Sequence, residues 1–229
     1  MWQPGSPESL GLSADGAVPS ISFPVLGLVT FGDGWALPRG NHGERPHEGT
    51  DISGVNGQPW RAAFDGVVTR RQVESRGIAG VAITITRSDG LRANYFHLNE
   101  DNPGTNDGAA PAPWRIPDAV QMGTHVTAGQ IIAFMGDSGN AGVPHLHFEL
   151  RRSDGTPINP YPALVAAERR EQCHLSFGPW ANVGTTAESP VPPAMTVDGP
   201  GGAQWIVSGR GDVVAVNPAA SALGRVDAC

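Results

Sequence analysis

The sequence is poor in the features that mark several common classes of protein. Its 229 residues include only two cysteines, 16% charged residues and 7% aromatic residues. The formal net charge of -7 lacks the basic excess that nucleic-acid binding requires, so no nucleic-acid partner is predicted. No apolar run reaches the length of about 18 residues that a membrane-spanning helix needs.

The N-terminus also lacks the basic and then apolar character of a signal peptide. Residues 1–20 are rich in Pro, Ser, Gly and Ala and are interpreted as a leader or linker. If the protein acts outside the cytoplasm, we expect its export signal to have been removed from this chain.

Glycine and proline are abundant instead, with 31 and 21 residues. Each costs about 1–3 kcal/mol inside a helix, which leaves little room for long helices. The apolar runs are short and rich in β-branched residues, as in 81–86 and 130–134, and this favours strands. We therefore predict a mainly β fold, with strands near 57–64, 66–74, 80–87, 90–97, 130–135 and 145–152.

Two segments differ from this pattern. Residues 99–117 contain four prolines and no alternation, and a loop of that length is typically functional or disordered. Residues 166–229 are predicted to begin with a short helix over 166–171, followed by proline-rich chain and a β-hairpin at 204–216. Both cysteines, Cys173 and Cys229, lie in this last segment. A disulfide between them would staple a region with little core and imply an oxidising setting, whereas two unrelated thiols are the alternative.

Histidines at alternate positions give the first indication of a metal site. His145 and His147 lie two apart in a strand-like run, so their side chains project from the same face. His47 and Asp51 are four apart, which places them on one face of a strand or a helix, and the neighbouring proline and glycine disfavour a helix. The two segments offer three nitrogen and oxygen ligands for Zn²⁺ and leave a fourth position open, as in catalytic zinc sites.

Three segments together resemble the signatures of the lysostaphin-type (LytM-like) zinc metalloendopeptidases, which are peptidoglycan hydrolases with a duplicated-hybrid-motif fold. These segments are His47-Glu48-Gly49-Thr50-Asp51, Tyr95-Phe96-His97-Leu98 and Pro144-His145-Leu146-His147-Phe148-Glu149. The glycine-rich stretch 137–142 fits the same family. The resemblance covers about residues 21–164.

The resemblance implies roles for five residues. His47, Asp51 and His147 are the zinc ligands, while His145 and His97 act on the zinc-bound water and the transition state. Either histidine can be the general base, and we favour His145 because its strand fixes it beside His147. The implied enzyme is a secreted, cell-wall-associated, monomeric endopeptidase that binds a peptidoglycan peptide in a groove of an antiparallel β-sheet.

The neighbouring residues are expected to have no part in catalysis. Glu48 and Glu149 adjoin ligands in sequence, and we expect strand alternation to turn both away from the metal. His125 is expected at the surface. The loop 99–117 is expected at the rim of the groove, where it either determines substrate choice or is a tolerated insertion.

The predicted domain organisation has three parts. A leader over 1–20 precedes a zinc peptidase domain over 21–165 and a small, disulfide-stapled, β-rich extension over 166–229. The extension resembles one blade of a propeller repeat. One blade cannot close a propeller, so the extension is a remnant, a wall-binding appendage or a packing staple.

Three alternatives to a wall hydrolase remain open. A catalytically inactive regulator could bind cell-wall hydrolases through the same groove, although such proteins typically lack zinc ligands that are all present here. A zinc peptidase acting on proteins would carry the same motifs. A β-sandwich with a structural metal would need a fourth ligand, which the motifs do not supply.

Overall fold

A computed structural model describes residues 3–40, 43, 45–172, 195–198, 204–207 and 213–215. Within these ranges the chain forms fifteen strands, a 3-10 helix at Ala112–Trp114 and the α-helix α1 at Tyr161–Gln172. The strands, in chain order, are β1 Thr30–Phe31, β2 Pro38–Arg39, β3 Arg45–Pro46, β4 Thr50–Ser53, β5 Pro59–Arg61, β6 Gly66–Arg76, β7 Gly80–Thr86, β8 Arg92–Phe96, β9 His125–Val126, β10 Ile131–Phe134, β11 His145–Arg151, β12 Pro157–Ile158, β13 Met195–Asp198, β14 Gln204–Val207 and β15 Val213–Ala215.

Eight of the described strands form one antiparallel sheet, in the order β1-β4-β11-β8-β7-β6-β9, with β12 paired to β11. Strands β5 and β10 form a second antiparallel sheet, and β2 and β3 form a short hairpin. The mainly β prediction is confirmed. Each of the six predicted strands overlaps an observed strand, and the ends agree to within about three residues.

The two sheets share one hydrophobic core. Trp60 of β5, Tyr95 of β8 and Phe148 of β11 are fully buried, and the Tyr95 and Phe148 rings lie 5.3 Å apart. The Ala63 amide donates a hydrogen bond to the Tyr95 hydroxyl at 2.7 Å, so the polar end of this buried phenol has a partner. Strand β11, which carries His145, and strand β8, which ends one residue before His97, are therefore fixed over the core.

Helix α1 packs against this core and holds the N-terminal segment to it. Ala167 is fully buried, and the Glu171 carboxylate accepts hydrogen bonds from the Phe23 amide and the Arg61 guanidinium, both at 2.6 Å. The helix is longer than the predicted 166–171, and it crosses position 165, where we expect the peptidase domain to end.

The described parts of the C-terminal segment form a three-stranded antiparallel sheet of β13, β14 and β15. Its last two strands confirm the predicted hairpin, while Cys173 and Cys229 lie outside the described residues. Among the described helices, none combines the length and apolar character needed to cross a membrane.

Candidate active site

Strand β11 carries the centre of the site. His145 and His147 lie on the face of the sheet that lines a cavity, while Leu146, Phe148 and Leu150 are buried in the core. His147 lies opposite Asp51 of β4 on one side and opposite Phe96 of β8 on the other. Strand pairing therefore brings together residues that are 96 positions apart in the chain.

The three predicted ligands converge on one point. His47 Nε2 lies 3.1 Å from Asp51 Oδ1 and 3.0 Å from His147 Nδ1. Asp51 Oδ1 and His147 Nδ1 are 2.9 Å apart. Ligands at about 2.0–2.1 Å from a tetrahedral zinc ion are about 3.3 Å from one another, so this triangle is close to the size that zinc requires. Among the described residues, these three form the one group of His, Cys, Asp or Glu side chains suited to a metal.

Hydrogen bonds on the far side of each imidazole fix which nitrogen faces this point. His47 Nδ1 lies 2.9 Å from the Gly34 carbonyl oxygen, which can only accept, so Nδ1 carries the hydrogen and Nε2 keeps its lone pair. His147 Nε2 lies 3.3 Å from Glu149 Oε1, which leaves the lone pair on Nδ1. In these tautomers two lone pairs and a carboxylate oxygen converge, an arrangement that a cation would stabilise, and the donor set fits Zn²⁺.

The expectation that Glu149 points away from the metal is wrong. Glu149 is two residues from His147 in the same strand and therefore shares its face. Its Oε2 accepts hydrogen bonds from Asn94 and Arg151, both at 2.8 Å. Burial raises the pKa of Glu149, but His147 and Arg151 outweigh this effect and lower it to about 2. Glu48, as expected, does not line the cavity, and it accepts a hydrogen bond from Arg151 at 2.6 Å.

His97 departs from strand alternation. Phe96 lines the cavity, so a continued strand would turn His97 toward the core. Strand β8 ends at Phe96 instead, and His97 has a φ of 65°, in the left-handed region that few residues other than glycine adopt. The imidazole therefore enters the cavity, where its Nδ1 donates to the Ser138 carbonyl at 2.8 Å. Burial lowers the pKa of His97 to about 4, so this side chain is neutral near pH 7.

His145 lies between His97 and the ligand group. The His145 and His97 rings have their centroids 4.8 Å apart. His145 Nδ1 donates to the Val143 carbonyl at 2.8 Å, and its Nε2 lies 3.8 Å from Asp51 Oδ1. Both histidines thus carry their hydrogen on Nδ1, which leaves Nε2 able to accept a proton.

The cavity has a volume of about 490 Å³, within the usual range of ligand sites. Arg39 of β2 also lines it and donates to Asp51 Oδ2 at 2.5 Å. Burial raises the pKa of Asp51, but in the absence of a metal, protonated His147 and His47 donate hydrogen bonds that outweigh burial and hold the pKa well below its usual range, so the carboxylate is ionised. Motif spacing does not predict that Arg39 lies beside the Asp51 carboxylate.

The loop 99–117 does not line the cavity. Trp114 and Ile116 are buried, and the Asn99 side chain donates to the carbonyls of Asp101 and Trp114 at 3.0 and 3.2 Å. The loop is therefore anchored to the protein near its two ends, while residues 103–109 between them are exposed, and it makes no direct contribution to the cavity wall.

Comparison with known proteins gives consistent matches. Residues 115–160 match the family described as peptidase family M23. The chain is 32% identical over 134 residues to the DD-carboxypeptidase/endopeptidase Mpg of Neisseria meningitidis serogroup B, covering 56% of this chain and 26% of that protein. It is 30% identical over 162 residues to the L-Ala--D-Glu endopeptidase of Bacillus subtilis, covering 66% and 44%. The chain thus spans less than half the length of either relative.

A solved structure is also similar. The catalytic domain of lysostaphin from Staphylococcus simulans shows 30% sequence identity and a TM-score of 0.46, with 60% of this chain and 92% of that chain covered.

Proposed function

We propose that this chain, whose residues 115–160 match peptidase family M23, is a zinc-dependent endopeptidase that hydrolyses peptide bonds in peptidoglycan stem peptides or cross-bridges. The observation that carries this proposal is the ligand triangle of His47, Asp51 and His147, with two further histidines in the same cavity. Of the two relatives named above, one is named a DD-carboxypeptidase/endopeptidase and the other an L-Ala--D-Glu endopeptidase.

We assign His47 Nε2, Asp51 Oδ1 and His147 Nδ1 as the zinc ligands. Zinc held there supplies a Lewis acid that polarises a carbonyl and makes a nucleophile available near neutral pH. Gly34 and Glu149 keep the two imidazoles in the tautomers that such binding requires.

We assign His145 and His97 to proton transfer and charge stabilisation. His145 Nε2 is 3.8 Å from a ligand oxygen, so it is placed to take a proton from the attacking water and return it to the leaving amine. His97, anchored through Nδ1 to Ser138, directs its Nε2 to the other side of the same space. His97 is neutral near pH 7, so this nitrogen must first take up a proton before it can donate a hydrogen bond to the oxyanion of the transition state.

The presence of all three proposed ligands disfavours an inactive, groove-binding regulator, since such a protein would not need a metal site. A peptidase that acts on proteins would need the same residues, and the substrate experiment below separates it from a wall hydrolase.

Several finer features belong to the same proposal. We propose that the enzyme is secreted and monomeric and that a Cys173–Cys229 disulfide closes its C-terminal extension. We place the end of the peptidase domain at the end of α1 rather than at 165, because Ala167 and Glu171 contribute to the core and its contacts.

The test is digestion of purified peptidoglycan by the zinc-loaded protein, with the released fragments identified by mass spectrometry. We expect new amino termini within stem peptides or cross-bridges, and His145→Ala should abolish them. His125→Ala is the matched control, because His125 is exposed on β9 and lies outside the cavity lining. Cleavage of a protein substrate without release from several wall types would refute the wall-hydrolase proposal.

A further inference from the structure

Two arginines stand side by side at the edge of the active-site cavity. Arg39 of β2 and Arg45 of β3 are directly opposite each other in the hairpin register, and both line the cavity. Like charges opposed across a strand pair are destabilising, so the hairpin maintains this pair at a cost to its own stability. The chain as a whole is acidic, with a formal net charge of -7, and so the pair is a local exception.

The two arginines differ in their partners. Arg39 is neutralised by Asp51, to which it donates at 2.5 Å. Arg45 is exposed and has no ion pair or hydrogen bond with any residue in the described part of the chain.

The carboxylates of the cavity are already engaged. Asp51 and Glu149 are the acidic residues among those that line it. Asp51 contacts Arg39 and two histidines, and Glu149 contacts Asn94, His147 and Arg151. Neither is therefore available to pair with the Arg45 guanidinium.

We propose that Arg45 is a specificity-determining residue that binds a free carboxylate of the substrate peptide next to the scissile bond. This inference rests on the proposed peptidase function and adds the substrate class, a peptide with an acidic residue beside the cleaved bond. A guanidinium presents a planar fork that matches a carboxylate, which makes arginine suited to this recognition. A neutral peptide would leave the charge of Arg45 uncompensated, because of the two arginines Asp51 pairs only with Arg39.

The experiment starts from the bond that the wall digest identifies. Two synthetic peptides spanning that bond are compared, one with the flanking carboxylate free and one with it converted to the carboxamide. We expect the zinc-loaded enzyme to have a KM about 10-fold lower for the acidic peptide, a difference that shrinks as salt is raised. In Arg45→Gln the two KM values should converge, through a rise for the acidic peptide.

Arg76→Gln is the charge-matched control, because Arg76 is exposed at the end of β6, away from the cavity lining, and should keep the wild-type ratio. A scissile bond with no free carboxylate beside it, or a KM ratio that Arg45→Gln leaves as in the wild type, would overturn the inference while the endopeptidase function stands. Failure of the enzyme to cut any wall peptide would instead remove the function on which the inference depends.

Discussion

Two acceptors behind the proposed zinc ligands decide which imidazole nitrogen would face a metal. One is the Gly34 carbonyl, which no side-chain substitution removes, and the other is the Glu149 carboxylate. Replacing Glu149 by Gln keeps the shape but removes the negative charge that favours the correct tautomer of His147. We expect Glu149→Gln to weaken zinc affinity by about 10–100-fold, as measured by competition with a chromophoric chelator.

Glu48→Gln is the control for this prediction, because Glu48 also pairs with Arg151 but contacts no ligand. We expect it to bind zinc as the wild type does. Equal losses in both variants would mean that the Arg151 network acts by general stabilisation, and that Glu149 has no specific effect on His147.

His97 should make the stability of the zinc-free protein depend on pH. Its pKa is about 4 in the folded protein and about 6.5 in an unfolded chain, so between these values the unfolded state binds more protons. Stability contributed by neutral His97 is therefore lost as the pH falls through this window. In His97→Asn, a residue that tolerates a positive φ, the decrease in unfolding free energy from pH 7 to 4 should be smaller by up to about 3 kcal/mol.

Urea unfolding at a series of pH values measures this difference. His125→Asn is the matched control, since His125 is exposed and should leave the pH dependence of the wild type intact. Parallel curves for the wild type and His97→Asn would contradict the prediction.

At the residue scale, the sequence predicts which residues form the candidate site better than it predicts where their side chains point. His47, Asp51 and His147, which the structure brings together, could be proposed as ligands because their spacing matches strand alternation and a known motif. The same alternation also carried the signal for Glu149, which lies two residues after a ligand. The direction of His97 could not be predicted, because it depends on one left-handed backbone angle after the strand has ended.

Among the structural elements, the junction between β4 and β11 depends on the absence of a side chain at Gly49. A Cβ atom there would lie 2.6 Å from the Phe148 carbonyl oxygen and 2.8 Å from the His147 ring. We expect Gly49→Ala to push β11 and its ligand out of place, lowering zinc affinity by 10-fold or more and stability by about 1–3 kcal/mol. Chelator competition and urea unfolding measure the two effects.

Gly32→Ala is the control, because a Cβ atom at Gly32 meets nothing within 4 Å and its φ is not positive. We expect it to match the wild type in both measurements. If Gly49→Ala also matches the wild type, the close approach of β4 to His147 is not needed for the site.

The length of an element determines whether the sequence predicts it. Long strands such as β6 and β11 contain enough alternating positions to be recognised. The hairpin of β2 and β3 has two residues in each strand, too few for any periodicity, and yet it places Arg39 beside Asp51. Part of the candidate site is thus built by elements whose pairing only the folded chain determines.

For the molecule as a whole, α1 links parts of the chain that are far apart in sequence. Glu171 bonds the Phe23 amide and Arg61, and Arg170 donates to the Ile21 carbonyl at 2.6 Å. Arg61 is 8% exposed, so it would become a nearly buried and uncompensated charge if the carboxylate were lost. We expect Glu171→Gln to lower the free energy of unfolding by about 1–3 kcal/mol in urea denaturation.

Glu168→Gln tests whether this loss of stability is specific to the contacts that Glu171 makes with Phe23 and Arg61. Glu168 lies on the same helix and has no hydrogen bond or ion pair with the residues that the structure describes, so its replacement should change stability by less than about 0.5 kcal/mol. Because Glu171 contributes nothing to the cavity lining, both variants should bind zinc like the wild type once folded. A loss of zinc affinity in Glu171→Gln alone would instead mean that α1 positions the ligand strands and is part of the catalytic unit.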